Sequence, residues 1–270
     1  MKRFTQTFLA AVATLTTIGL QAQEQKQNYV TVTTLHWNTA NRDLDQKEWI
    51  SLEKEFVDKV IKKNEFILDQ KVLIHHYTAD NSELLLITTY PSWEAIEKSG
   101  KRTDELTMLA WPDEKARTAF FDKQGAFYAP KHSDEIYTTM AGSKVATTKS
   151  VKPMIYYIRK SYWAAPKDGS IKEFTELRNK FLAAATNKND LIKAYYPLVH
   201  AWGADNTEFI ETFVLENLGD VEKANEKNRD LMKAAMPDEA KRKEFRIAFD
   251  KYFNGAHGDY IYKSVPELSK

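Results

Sequence analysis

Residues 71–90 read KVLIHHYTADNSELLLITTY, and residues 196–215 read YPLVHAWGADNTEFIETFVL. Each is a pair of apolar and aromatic runs around an Asp-Asn turn. Asp and Asn tolerate turn dihedrals and bond their own backbone, so each stretch reads as a β-hairpin. Adding 125 to a position in the first stretch returns the same residue at His75 and His200, at Ala79-Asp80-Asn81 and Ala204-Asp205-Asn206, and at Glu83 and Glu208. Self-similarity at a fixed offset is the signature of a repeated structural unit, and it decides the fold before any single element does.

Working outward, the same offset relates Lys47-Glu48 to Lys172-Glu173, Phe56 to Phe181 and Lys63-Asn64 to Lys188-Asn189. It also relates Pro112-Asp113-Glu114 to Pro237-Asp238-Glu239, Arg117 to Arg242, Phe120 to Phe245, and the His132, Asp134, Ile136, Tyr137 set to His257, Asp259, Ile261, Tyr262. The expectation is a first unit over 28–140, a small polar linker over 141–152 ending near Pro153, and a second unit over 153–265, with no gap between the matched ends.

Period and punctuation order the elements within a unit. Val30 to Trp37 and Ile155 to Tyr162 suit a first strand. A helix follows, announced by Asp45-x-x-Glu48 and Ser170-x-x-Glu173 at capping-box spacing. Its apolar stripe runs Trp49, Leu52, Phe56, Val60 and, in the second unit, Phe174, Leu177, Phe181, Ala185. The hairpin comes next, then helices from about Ser92 to Leu109 and from Pro112-Asp113-Glu114 onward, and a closing strand from Glu135 to Met140.

This α+β order of strand, helix, two strands, helices and strand resembles the ferredoxin-like arrangement. In particular it resembles the superfamily whose sheets pair face to face as a dimeric α+β barrel. The resemblance rests on element order in both units and on no motif of a particular enzyme family. It implies that two tandem units pair within one chain where relatives pair two chains; two non-contacting domains are the alternative arrangement. A homo-oligomer also stays open.

Period-two alternation assigns strand residues to faces. Val72, Ile74, Pro197 and Val199 are expected under the helices, leaving His75, Tyr77, His200 and Trp202 facing the space between the paired sheets. The same reasoning sends Leu84, Leu86, Thr88, Tyr90, Phe209, Glu211, Phe213 and Leu215 to that interior. Across the 125 offset Leu86 stands against Glu211, Thr34 against Arg159 and His36 against Ser161, so the two halves are unequal. The candidate ligand-binding set is therefore His75, Tyr77, His200, Trp202, Glu211 and Arg159, lining an enclosed and mostly apolar cavity. His75 and His200 supply imidazoles able to act as bases near neutral pH, or to serve as core histidines bonded to a carbonyl or a tyrosine.

His132-x-Asp134 and His257-x-Asp259 place two metal-ligand types on one side of an extended segment, but without a third ligand they are expected to hydrogen-bond at helix ends, and no metal is assigned. Arg117 and Arg242 follow Asp113 and Asp238 at ion-pair spacing. Cysteine is absent, which excludes disulfides and thiolate chemistry. No glycine-rich phosphate loop, HExxH pair or GxSxG elbow occurs.

The chain opens Met1-Lys2-Arg3, runs apolar from Phe8 to Leu20 and continues Gln21-Ala22-Gln23. This reads as a secretory signal peptide over 1–22, too short for a membrane span of about 20 residues, so a periplasmic or secreted product is expected. Cleavage takes Lys2 and Arg3 from 39 basic residues and nothing from 38 acidic ones, leaving a net charge of −1. That balance argues against nucleic acid as a partner. Two functional readings remain: a binder of a small apolar or aromatic ligand between the sheets, and an oxygenase- or isomerase-like enzyme in the same cavity, cofactor-free or with haem. A pocketless interaction module is the third, and a barrel filled by its own side chains would exclude the first two as stated. The cofactor is left unassigned.

Overall fold

The computed structural model describes residues 27–41, 45–146 and 148–270; the leader reading over 1–22 lies outside them. The first unit runs β1 (Tyr29–His36), α1 (Gln46–Lys59), β2 (Asp69–Tyr77), β3 (Glu83–Tyr90), α2 (Trp93–Ala110), α3 (Glu114–Gly125) and β4 (Ser133–Thr139). The second runs β5 (Ile155–Trp163), α4 (Ile171–Phe181), β6 (Ala194–Trp202), β7 (Glu208–Leu215), α5 (Asp220–Ala235), α6 (Glu239–Asp250) and β8 (Phe253–Ser264).

The helix starts follow from their caps. Asp45 accepts from the Lys47 N–H and Ser170 from the Glu173 N–H, each satisfying a first-turn donor that the helix leaves without an internal partner. Ser92, Asp113 and Asp238 cap α2, α3 and α6 in the same way. Arg117 and Arg242 depart from the expected ion pairs. Their guanidinium groups reach back to the Trp111 carbonyl at 2.9 Å and the Met236 carbonyl at 2.7 Å, closing the C-terminal ends of α2 and α5.

The eight strands close into one antiparallel barrel in the order β1-β3-β2-β8-β5-β7-β6-β4. The two units therefore pair within the chain, through two seams of the same register: Leu73 faces Ser264 across β2 and β8, and Thr139 faces Leu198 across β4 and β6. The matched residues of these pairs are 125 apart.

The first strand breaks the offset. Tyr29 pairs with Tyr90 and Ile155 with Leu215. Since 90 and 215 are 125 apart, 29 and 155 are 126 apart, and the loop after β5 is one residue shorter than the loop after β1. The ungapped match is corrected accordingly: Arg159 corresponds to Thr33 and Ser161 to Leu35. Trp37 and Trp163 become equivalent, and both pair with the chain entering the fourth strand, at Tyr128 and Phe253.

Pairing also fixes the faces. Leu73 is the cross-strand partner of Leu85, and opposite residues of an antiparallel pair share a face. Leu85 and Ile87 thus join Leu73 on the barrel's inner side, and Ile210 and Val214 lie on it in the second unit. Leu84, Leu86, Phe209, Phe213 and Leu215 pack under helices instead, and Glu211 lies on their side. The expectation that put these residues inside is overturned.

Inside the barrel, Val30, Leu73, Tyr137, Tyr156, Ile158 and Leu198 pack with Leu85, Ile210, Val214 and Tyr262 as one buried cluster. An eight-stranded barrel is just wide enough for its own side chains to fill it. The expected cavity between the sheets is occupied by them.

Buried asparagines fasten the helix layers. Asn64 donates to the Ser99 carbonyl at 2.9 Å and accepts from the Phe66 N–H; Asn189 repeats this with the Ala224 carbonyl at 2.9 Å and the Leu191 N–H. Both amides are fully enclosed, where an unmet donor costs more than a met one contributes.

Candidate functional site

The candidate side chains are not brought together in one place. His75 and His200 do lie on the inner side of β2 and β6, at opposite seams, beside Tyr262 and Tyr137. Tyr77 is 59% exposed and Trp202 68% exposed, so both sit on the outer rim where the strands end. Arg159 and Glu211 are cross-strand partners on the helix side of the second unit.

His75 has a defined tautomer. The Thr78 hydroxyl donates its one proton to the Asp80 carbonyl at 2.8 Å, so at 2.8 Å from His75 Nδ1 it can only accept. Nδ1 therefore carries the proton and the Nε2 lone pair is free in the neutral ring. His200 differs: its Nε2 is buried without a partner.

A cleft of about 340 Å3 opens beside His75, between the end of the first unit's sheet and α1. Trp37 and Ile74 form its apolar walls, backed by the buried Trp49 and Phe127, and Asn38, Gln46 and Asn81 form its polar rim. A shallower groove of about 520 Å3 lies on the other side of the same histidine, bounded by His76, Tyr77, Gly258 and Tyr260. His75 is common to both.

A hydrogen-bonded chain holds the cleft's aromatic wall. Trp49 Nε1 donates to the Tyr128 hydroxyl at 2.7 Å, and that hydroxyl donates to Glu53 at 2.6 Å. Burial raises the Glu53 carboxyl above the usual carboxylate range, against the bonds from Tyr128 and Gln124 that lower it. Trp37 stacks on Tyr128 with the rings 6° apart and meets Trp49 edge-on at 4.8 Å. The two indoles are thus fixed by packing on one side and by a buried acid on the other.

The equivalent place in the second unit carries more rings. Phe174 takes the position of Trp49, Phe253 that of Tyr128, Phe209 that of Leu84 and Phe249 that of Gln124. With Trp163 and Tyr252 these rings pack edge-on and stacked at centroid distances of 4.7 to 6.0 Å. Phe209 and Phe249 are rings where the first unit has Leu84 and Gln124, which stand behind the cleft and do not line it.

His132 Nε2 lies 3.3 Å from the Asp134 carboxylate on the surface, and His257 and Asp259 repeat this contact at 3.3 Å. Asp134 also accepts from Thr33, and Asp259 from Tyr157, both at 2.6 Å. They bond to strand neighbours and not to helix ends. Among the described residues no group of three or more potential metal ligands converges. The space between the sheets, the expected place of a haem, is packed by the barrel's own side chains and leaves no slot for one.

Among solved structures, the chain is similar to a candidate monooxygenase from Fusobacterium nucleatum, with a TM-score of 0.58 at 10% identity over 89% of this chain and 93% of that one. A candidate monooxygenase from Lactobacillus acidophilus gives 0.52 at 12% identity, covering 88% and 93%. A chlorite dismutase variant from Candidatus Nitrospira defluvii gives 0.52 at 15% identity, covering 89% and 92%. At these identities the likeness shows the fold. The protein has the dimeric α+β barrel fold, built from two units of one chain. No protein-family model and no curated protein matches the sequence. No helix of the described residues is long and apolar enough to cross a membrane.

Proposed function

We propose that the protein binds a small planar aromatic ligand in the cleft of Trp37, Trp49, Ile74 and Phe127, with a polar substituent turned toward His75 and the Asn38 to Asn81 rim. The packed barrel moves the binding reading from the space between the sheets to this helix-side cleft. One observation carries it: the cleft, at about 340 Å3, has Trp37 and Ile74 as its walls, Trp49 and Phe127 behind them, and Asn38, Gln46 and Asn81 at its rim. Small-molecule pockets run from about 300 to 1,000 Å3, mostly apolar with a few polar groups, and the open cleft fits that description. With the leader reading, the site works outside the cytoplasm. Calorimetric titration with 2-naphthol tests it. Saturable one-to-one binding that Trp37→Leu weakens supports the reading, and no binding to the folded wild type removes it.

A second reading is favoured by the His75 tautomer. A free Nε2 beside a bound aromatic is placed to take an acidic proton, as a general base does. Proteins of this fold described as candidate monooxygenases suggest oxidation of such a ligand by dioxygen, an acidic CH2 group and O2 giving C=O and water. The test is hydrogen-deuterium exchange at the acidic carbon of 2-indanone. Acceleration by the wild type that is lost in His75→Ala supports the base, and equal rates remove it.

A further inference from the structure

A base at His75 Nε2 depends on one hydroxyl. In a neutral imidazole one nitrogen donates and the other accepts, and the partner of Nδ1 decides which. At His75 that partner is Thr78, three residues on, where β2 runs into the hairpin turn. Thr78 is half-buried, and its hydroxyl oxygen lies 2.8 Å from both His75 Nδ1 and the Asp80 carbonyl. The turn that carries Asp80 is braced in its own right. The Asp80 carboxylate accepts from the Ser82 N–H at 2.8 Å and from the Ser82 hydroxyl at 2.6 Å, and lies 3.4 Å from His36 Nε2 at the end of β1.

The second unit keeps the turn and loses the hydroxyl. Asp205 accepts from the Thr207 N–H at 2.8 Å and from its hydroxyl at 2.6 Å, as Asp80 does from Ser82. Gly203 stands where Thr78 stands, at a φ of 150°, with the Glu135 side chain over it: a Cβ there would lie 3.0 Å from Glu135 Cγ. No side chain at that position can orient His200, and its Nε2 is buried without a partner. Of the two matched histidines, His75 has the hydroxyl at Nδ1, and it borders both the cleft and the groove.

We propose that Thr78 is the positioning residue of the site and that the hairpin turn switches it. The closed turn holds the Thr78 proton on the Asp80 carbonyl and so keeps the ring proton of His75 on Nδ1. A turn that releases this bond frees Thr78 to donate to Nδ1, which moves the ring proton to Nε2 and turns the base off. The proposal rests on the reading of His75 as a base in the cleft and adds its regulation. With Nδ1 protonated, Nε2 takes a proton from an acidic carbon of the ligand: a C–H bond breaks, an N–H bond forms, and the electron pair stays on the ligand as an enolate. Both nitrogens of the resulting imidazolium donate, so the bond from Nδ1 to Thr78 persists through the transfer.

Long-range nitrogen-proton NMR of the full chain at alkaline pH reads the tautomer, and the signal missing from His75→Asn identifies His75 among the six imidazoles. The expected result is an Nδ1–H ring in the wild type, an Nε2–H ring or a mixture in Thr78→Val, and the wild-type pattern again in Thr78→Ser. Ser82→Ala loosens the turn without touching Thr78; it is expected to add Nε2–H ring, and it serves if Thr78→Val does not fold. Deuterium exchange of 2-indanone should follow the tautomer, falling about tenfold or more in Thr78→Val and recovering in Thr78→Ser. An Nε2–H ring in the wild type, or an undiminished Nδ1–H ring in the folded variants, overturns the proposal. An Nδ1–H ring that responds to Thr78, with no exchange of 2-indanone by the wild type, supports control by Thr78 and removes the base reading alone.

Discussion

The Tyr137 hydroxyl, on β4 of the first unit, donates a 2.6 Å hydrogen bond to Glu208 at the start of β7 in the second. The relationship is reciprocal: 125 residues on, Tyr262 donates to Glu83 at 2.9 Å. Each bond ties the last strand of one unit to the hairpin of the other, and each tyrosine sits beside a candidate histidine across its seam. The barrel is thus latched at two matched points, with Lys160 adding a 2.6 Å ion pair to Glu208 at one of them.

Tyr137→Phe is expected to destabilise the fold more than Tyr262→Phe. Glu208 is buried, so losing a donor there leaves an unmet acceptor at a cost of about 1–3 kcal/mol, whereas Glu83 is better solvated. Urea denaturation midpoints of the two variants check the order.

Tyr128→Phe removes the central member of the Trp49-Tyr128-Glu53 chain and leaves a buried indole N–H and a buried carboxyl short of partners. A loss of about 2 kcal/mol is expected. Weakened aromatic binding should accompany it, because Trp49 loses the bond that orients it. Thermal unfolding and ligand titration of the one variant measure both.

Glu53 sets a pH dependence. Its folded-state value is raised, so its stabilising contribution is complete below the usual carboxylate value of 4.5 and is lost as pH rises through the higher folded value. Glu53→Gln should therefore gain on the wild type as pH rises above 4.5. Stability curves for both proteins across pH 4 to 8 check the sign; a difference that stays flat contradicts it.

Asn189→Leu is expected to cost about 1–3 kcal/mol, since it strands the Leu191 N–H and the Ala224 carbonyl inside the second unit. Asn64→Leu should do the same in the first. Hydrogen exchange of the amides following each asparagine locates the damage.

The sequence made the element order legible because caps, turns and helix stripes are local signals. Ser92, Asp113 and Ser170 stand at helix starts for reasons contained within a few residues. The faces of β3 were not legible. Leu84, Leu85, Leu86 and Ile87 are apolar without alternation, so period two has no phase there, and only pairing of Leu85 with Leu73 sets it. Glu211 was misplaced with them. The one-residue shift of the first strand could have been read from Trp37 and Trp163, the aromatic pair that 126 aligns and 125 does not. The Tyr128-Glu53 chain carried no local signal, since what distinguishes it is burial against distant elements.

The most direct test of the aromatic cleft fills it from its own wall. Ile74→Phe puts a larger side chain on the cleft side of β2, at an overpacking cost of about 1–3 kcal/mol. Calorimetric titration of 2-naphthol into wild type and variant is the measurement. One-site binding to the wild type that is lost in the folded variant is the predicted result, and equal affinity of the two proteins would contradict a ligand seated in the cleft.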